Sequence, residues 1–323
     1  MTASSDRPLV TLSITCYNHE RYVKAAIESA LAQSYSPLHI LVSDDYSQDN
    51  SWNIIKKTVT SYDGPHNVTI RCNPKNMGLI DHINLVMDMA KGDLFVGCSA
   101  DDIQMSHRVQ TIVDIWCQNG KGEMLIHGPV APMDLQGKPS DALYYPKITE
   151  NNPDAAEIAL AFETYIGASS AFSLSLIRTF PKIKYQCAYE DLVWSFRASL
   201  IGSFVYNETP TVYYRMGDGL TTTPRDPKTK YNPEVLIKKH RVHHDTLKQR
   251  LEDLAMFPDV ENYANTMKKI TTRLEFEKAF LSLLMQGISI RFLLSRKYSI
   301  PRLKAVAKYG AVRFKNFIRK QKK

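Results

Sequence analysis

Between Leu9 and His127, short apolar, β-prone runs alternate with segments of helical spacing. Residues 9–15 read as a buried strand. Val23, Ile27, Ala30 and Leu31 fall on one face of a helix over 20–33, with Asn18 as its candidate cap. The pattern repeats as strands over 38–43, 68–72, 94–98 and 124–127, separated by helices over 51–60, 79–90 and 108–119. Strands alternating with helices of this length build right-handed βαβ units. The expected class is therefore α/β, with a mostly parallel, Rossmann-like sheet flanked by helices.

Past His127 the periodicity weakens. Residues 128–154 are rich in Pro, Gly and polar side chains and read as a long surface loop. An apolar helix is expected over 171–179 and another over 188–201, where Leu192, Phe196 and Leu200 recur at steps of four. Short apolar runs at 204–206 and 211–215 precede a loop over 217–233, and the chain from Glu234 onward reads as helical. The expected organisation is one domain over 1–232, with halves 8–127 and 128–232, and a helical extension over 233–323.

The formal charge of +8 hides an asymmetry. Residues 288–323 hold twelve Lys or Arg and no Asp or Glu, so the remainder sits near −4. Phe292, Leu293, Phe314 and Phe317 interleave with Arg296, Lys304, Arg313 and Lys320, and Pro301 with Ser299 marks a helix start. Such a basic amphipathic helix suits an anionic bilayer surface, or packs on the body with solvated lysines. No nucleic-acid-binding module accompanies the charge, so no nucleic-acid partner is expected. The tail also leaves a homodimer open.

No run of eighteen apolar residues occurs, and no basic segment leads into an apolar one at the N-terminus. Five scattered cysteines without a CxxC fit reduced thiols. The expected location is cytoplasmic, with the tail placing the chain on the inner face of the plasma membrane.

Two acidic pairs close apolar runs: Asp44-Asp45 after 39–43, and Asp101-Asp102 after 94–100. At the carboxyl ends of strands in an open α/β sheet, side chains reach the crevice where ligands bind. Adjacent carboxylates repel, and a cation, donor groups or full solvation offsets that cost. The turn after the first strand is Thr15-Cys16-Tyr17-Asn18-His19, with no GxGxxG, and no GxxxxGK[ST] loop follows. Dinucleotide oxidoreductases and P-loop NTPases lose their main support. A metal–nucleotide site remains.

The order of Val10 to Asn18, Ser29-x-x-x-Gln33-Ser34-Tyr35, Val42-Ser43-Asp44-Asp45-x-Ser47-x-Asp49, Asn76-Met77-Gly78-Leu79, Asn84, Ala90-Lys91-Gly92-Asp93, Ser99-Ala100-Asp101-Asp102, Glu190-Asp191 and Tyr214-Arg215 resembles family 2 glycosyltransferases of the GT-A fold over about 8–222. The resemblance implies an inverting transferase that uses a nucleotide-sugar, with a UDP-sugar favoured. Thr15, Tyr17, Asn18, Asp44, Asp45, Asn76, Gly78 and Asp101 would hold the nucleotide. Tyr17 would stack on the base and Asp45 would accept from its ring N–H. Capping of the turn into the next helix is the competing role for Asp44.

Ser99-Ala100-Asp101-Asp102 resembles the family's DxD region with Ser99 in the first acidic place. The expected Mn²⁺ or Mg²⁺ then falls to Asp102 and Asp101, with Asp102 as the direct ligand. Asp191 would be the catalytic base, and Glu190 would contact the acceptor or orient a neighbour. Simple capping of the following helix competes for both acids. Gly217 stands where many relatives carry a histidine, and His240, His243 and His244 come late to replace it. Lys238, Lys239, His240 and Arg241 read as a basic exposed helix face.

The acceptor expected from the resemblance and the tail is a saccharide, lipid-linked, in bacterial O-antigen or capsule synthesis. The competing functions are a catalytically silent relative acting as partner or saccharide-binding subunit, and a sugar-nucleotide pyrophosphorylase. The latter lacks its Gly-rich N-terminal loop here.

Overall fold

The computed structural model describes residues 7–217 and 232–286, together with 307, 308 and 310. The basic helix expected within 288–323 lies outside these residues, as does most of the loop expected over 217–233. Strands β1 (Val10–Cys16), β2 (Leu38–Asp44), β3 (Asn67–Cys72) and β4 (Leu94–Ser99) run parallel. They are joined by helices α1 (Val23–Leu31), α2 (Ser51–Thr60) and α3 (Leu79–Asp88). Paired on both edges and covered on both faces, β1 and β2 are almost wholly buried, which explains their near-continuous apolar sequence.

β5 (Ile103–Gln104), α4 (Arg108–Gln118), β6 (Leu125–His127), β7 (Ala131–Met133) and α5 (Ala155–Ile158) follow. Then come β8 (Ala171–Ser173), α6 (Leu174–Thr179), α7 (Glu190–Leu200), β9 (Phe204–Tyr206) and β10 (Val212–Arg215). Seven strands form the main sheet in the order β3-β2-β1-β4-β8-β6-β9. β8 runs antiparallel to both its neighbours, so the sheet is mostly but not wholly parallel. β5, β10 and β7 make a second, three-stranded sheet.

Period two along each strand sends alternate side chains to opposite faces. Leu94 and Val96 pack with Ile27, Ile55, Val109 and Ile112 of α1, α2 and α4. Phe95 turns the other way, onto Phe172, Val86, Val193 and Phe196 from β8, α3 and α7. The sheet thus lies between two helical layers.

Three local expectations are corrected. Residues 171–179 are not one helix: Ala171 and Phe172 are buried sheet residues, and Ser173 caps the helix that starts at Leu174 by accepting from Leu176 N. Asn18 does not cap α1, which begins at Val23 after Tyr22; its backbone is left-handed, and its Oδ1 accepts from Gln48 N. The segment over 128–154 contains β7 and pairs Val130 with Tyr144, so it is a strapped connection rather than a bare loop.

α8 (Pro233–Ala255) and α9 (Tyr263–Gln286) complete the described chain. Asn232 caps α8 from its side chain, one residue before Pro233. Asp253 of α8 receives both Nε (2.8 Å) and Nη2 (3.0 Å) of Arg197 from α7, and both side chains are fully buried. Arg250 donates to the carbonyls of Leu192 (2.6 Å), Ala159 (3.0 Å) and Ala161 (2.9 Å). The helix pair is therefore bonded to the wall of the main body. No helix among the described residues is long and apolar enough to cross a membrane.

Candidate active site

Strand order reverses between β1 and β4, the point where open α/β sheets leave a crevice at their carboxyl ends. Register levels three of those ends, pairing Cys16 with Asp44 and Thr15 with Ser99. A cleft of about 340 Å³ opens there. Thr15, Ser99, Asp101 and Asp102 line it, and so do Glu190 and Asp191. Two acidic pairs ninety residues apart in sequence thus meet in one space.

Asp102 is 2% exposed and Asp101 7%. Oδ1 of Asp102 accepts from the Arg215 amide at 2.9 Å, while the Asp101 main-chain carbonyl accepts from Arg215 Nε at 2.8 Å. Burial, and then the neighbouring Asp101 charge, push the Asp102 carboxyl well above the usual range. A buried acid pair held near one backbone donor needs a proton or a cation. The donor set fits a hard divalent ion, which takes oxygen ligands and often only one or two protein carboxylates. Asp102 and Asp101 would hold it, as expected from the sequence.

Glu190 and Asp191 open α7 and are half-buried. Burial drives both carboxyls up, Glu190 to about 7 with Asp191 adding, and Asp191 to about 6. The Leu192 amide and Arg250 hold the Asp191 value down against burial. Both acids lie in the first turn of α7, after the N-cap residue Tyr189, and Asp191 Oδ1 accepts from the Leu192 amide there at 2.7 Å. Gly167 packs on this pair: a Cβ there would sit 3.5 Å from Glu190 Oε1.

The Asp44-Asp45 pair does different work. Asp44 is fully buried and accepts from the Ser47 amide at 2.9 Å, which is the turn-capping role. Asp45 Oδ1 accepts from Asn73 Nδ2 (2.6 Å) and Met77 N (2.8 Å), and its Oδ2 from Gly78 N (3.0 Å). It anchors the turn Asn76-Met77-Gly78, where Gly78 has φ +80° and Asn76 Oδ1 also accepts from the Gly78 amide. Ser47 Oγ accepts from Asn18 N at 2.8 Å, stitching the turns after β1 and β2 together. Tyr17, Asn18, Asp44, Asp45, Asn76 and Gly78 stand outside the lining of the cleft.

Several lining residues escaped the sequence reading: His19, Tyr144, Tyr165, Gly167, Tyr189 and Tyr214. Only Tyr214 carried a signal, as part of Tyr214-Arg215. Burial pushes its phenol to about 12, with Asp102, Asp101, Tyr144 and Asp191 adding in that order. Tyr189 falls at the start of the helix expected over 188–201, and the others come from connections without periodicity.

His240, His243 and His244 do not line the cleft. His240 and His243 are buried against Glu277 of α9, while Lys238, Lys239 and Arg241 are exposed as expected. Glu277 also accepts from Arg273 Nε at 2.7 Å, and Lys308 Nζ lies 3.2 Å from His240 Nε2. Two imidazoles and a carboxylate could hold a metal ion, but here two cations already compensate the acid. The cluster is a bonded network joining α8 to α9.

Comparison with known proteins gives a consistent picture. The family model described as glycosyl transferase family 2 matches residues 11–163. An uncharacterized glycosyltransferase of Haemophilus influenzae is 29% identical over 130 residues, 40% of this chain and 50% of that protein. Escherichia coli WfaP, a UDP-Glc:alpha-D-GlcNAc-diphosphoundecaprenol beta-1,3-glucosyltransferase, is 31% identical over 103 residues, 31% of this chain and 38% of that one. The matched segment spans half or less of these curated relatives.

Among solved structures, S. aureus TarS 1–349 in complex with UDP-GlcNAc superposes with a TM-score of 0.56 at 14% identity, covering 94% of this chain and 81% of that one. Mannosyltransferase PcManGT from Pyrobaculum calidifontis, in complex with GDP-Man and Mn²⁺, gives 0.56 at 12% identity, covering 97% and 88%. The fold is the GT-A one.

Proposed function

We propose that the protein is a metal-dependent, inverting glycosyltransferase that moves a sugar from a nucleotide-sugar, a UDP-sugar first, to a saccharide hydroxyl. One observation carries this: Asp101-Asp102 and Glu190-Asp191, from distant segments, face one cleft at the strand-order reversal. The family match over 11–163 supports the same reading.

In this mechanism Asp191 takes the proton of the acceptor hydroxyl as its oxygen bonds the anomeric carbon. The bond from that carbon to the diphosphate oxygen breaks on the opposite side, and the nucleoside diphosphate leaves. A carboxylate in hydrogen-bond reach contributes roughly 10²–10⁴-fold to such a step. A value near 6 keeps Asp191 ionised at neutral pH yet more basic than an ordinary aspartate. Glu190 orients the acceptor beside it. Asp102 and Asp101 would hold Mn²⁺ or Mg²⁺, which would supply positive charge for the departing diphosphate. The buried Asp44-Asp45 turns hold the nucleoside-binding loops, with Tyr17 and Thr15 offered to the base.

The acceptor is a lipid-linked saccharide in bacterial surface-polysaccharide assembly at the cytoplasmic membrane face. The name of WfaP and the basic tail over 288–323 support that choice. Deleting residues 297–323 should abolish binding to anionic liposomes while nucleotide binding persists; equal liposome recovery removes the membrane role.

The deciding experiment is thermal unfolding with UDP, GDP, CMP and dTDP, each with Mn²⁺ and with EDTA. Ligand at about a hundred times its dissociation constant adds roughly 2.7 kcal/mol. A midpoint raised by UDP only with Mn²⁺ supports the reading, and another nucleotide changes the donor. UDP binding with no turnover of any donor would favour the silent relative.

A further inference from the structure

Six large apolar or aromatic side chains are exposed among the described residues: Tyr46, Tyr144, Tyr145, Leu160, Met256 and Met285. Of these, Tyr144 alone lines the cleft. Its backbone is fixed rather than loose. The Tyr144 and Val130 amides donate to each other's carbonyls at 3.0 Å, a reciprocal pair that straps residue 144 beside β7. β7 in turn pairs with β10, the strand bearing Tyr214 and Arg215. The ring, 49% exposed, is therefore presented at the cleft by sheet-bonded backbone. Tyr214, whose phenol senses Asp102, Asp101, Tyr144 and Asp191, stands among the two acid pairs and this ring.

A half-exposed aromatic ring on rigid backbone is a ready binding surface, because little conformational entropy is lost when a ligand covers it. A pyranose presents a face of C–H groups that packs on an aromatic face, while its hydroxyls remain at the rim for polar partners. Residue 145 takes the opposite face of the extended strap, and Tyr145 is absent from the lining. Two adjacent tyrosines, both exposed, thus differ in whether the side chain lines the cleft.

We propose that Tyr144 is the stacking platform for the acceptor saccharide, a subsite of the cleft that holds a sugar ring beside Glu190 and Asp191. This rests on the transferase reading above. The platform accounts for an aromatic side chain kept in water at the mouth of an acidic cleft.

The test uses the full chain with Mn²⁺, UDP-glucose and a GlcNAc-diphosphate bearing a short lipid, with free saccharides as further acceptors. Tyr144→Ala should raise the acceptor KM about five- to thirty-fold, with kcat, nucleotide affinity and Tm unchanged. Tyr144→Phe and Tyr144→Trp keep the face and should stay within about twofold of the parent. Tyr145→Ala should match the parent. An unchanged KM in Tyr144→Ala overturns the proposal, as does a Tyr144→Phe defect as large as that of alanine, which would assign the effect to the hydroxyl. Altered nucleotide affinity in Tyr144→Ala would place the ring at the donor and overturn it too. A parent chain that transfers sugar to none of these acceptors, from UDP-glucose or from any sugar of UDP, GDP, CMP or dTDP, overturns the transferase reading itself, and the subsite with it.

Discussion

The backbone amide of Arg215 donates to Asp102 Oδ1 at 2.9 Å, joining the small sheet to the acidic turn that follows β4. The same residue's guanidinium reaches the Asp101 carbonyl, and then the carbonyls of Asp134 (2.9 Å) and Leu135 (3.1 Å) beyond β7. It also lies 4.3 Å from the centroid of the Tyr22 ring. One arginine therefore sets the acidic turn and the strap against each other. Its backbone acts on the carboxylate and its side chain on the chain around it.

Arg215→Ala should accordingly cost about 1–3 kcal/mol of stability, since the buried Asp101 carbonyl and the partly buried Asp134 and Leu135 carbonyls lose a charged donor. Metal-dependent nucleotide affinity should fall at least tenfold as the acidic turn loosens. Arg215→Lys should recover little, because one ammonium cannot span three carbonyls on a planar fork. Urea unfolding and calorimetric titration of UDP with Mn²⁺ read both effects. Unchanged affinity in the alanine variant would remove the positioning role.

Asp191→Asn should reduce transfer at least tenfold and leave nucleotide binding nearly intact. It should also stabilise the fold at neutral pH. The carboxyl sits above its ordinary value in the folded chain, so its ionised form is disfavoured there, and the amide removes that penalty, on the order of 1–2 kcal/mol. A variant that loses both activity and stability would point to a packing role.

Acid and base limbs should move in opposite senses for stability and rate. With Asp191 raised to about 6 and Glu190 to about 7, the folded chain holds protons between about pH 4 and 7 that the unfolded chain releases. This pair's contribution to stability is fully present below the unfolded values and is lost as pH rises through the folded ones. Transfer needs the ionised base, so kcat/KM should fall as pH drops below about 6. A rate profile flat from pH 5 to 8 with the parent chain, absent from none of its donors, would exclude Asp191 as the base.

Metal affinity should weaken as pH falls. Asp102 is pushed up by burial and by Asp101 against the lowering of Arg215 and Arg108, so as pH falls a proton competes with the cation for its carboxylate. Titration of Mn²⁺ at two pH values, in buffers of different ionisation enthalpy, reports the proton released. Asp102→Asn should abolish the Mn²⁺-dependent stabilisation by nucleotide.

Much of this architecture was legible because β1, β2 and β4 are largely buried on both faces, which writes near-continuous apolar runs into the chain. The acidic residues at 101, 102, 190 and 191 were visible for a related reason: charges placed against apolar runs stand out. The reversed strand β8 was not visible, because three residues carry too little period to separate strand from helix start. Ser173, which caps α6, was the one clue. Tyr144, Tyr165 and Gly167 were silent as well, since their positions depend on pairings between distant segments. Asp44 and Asp45 were conspicuous in sequence, yet their carboxylates face inward to amides of the neighbouring turns.

The bidentate pair between Arg197 and Asp253 bears on ancestry. Removing the Asp253 carboxylate alone would leave the Arg197 guanidinium buried without its acid, at a cost of about 3–5 kcal/mol, and removing α8 whole would uncover an arginine built to be covered. Arg250, arriving from the same helix, ties down the Leu192 carbonyl one residue past Asp191. The helix pair could not have been a late ornament on a finished enzyme without a matching change inside it. Homologues that dispense with α8 should therefore carry an uncharged residue in place of Arg197, and the two losses should be inherited together.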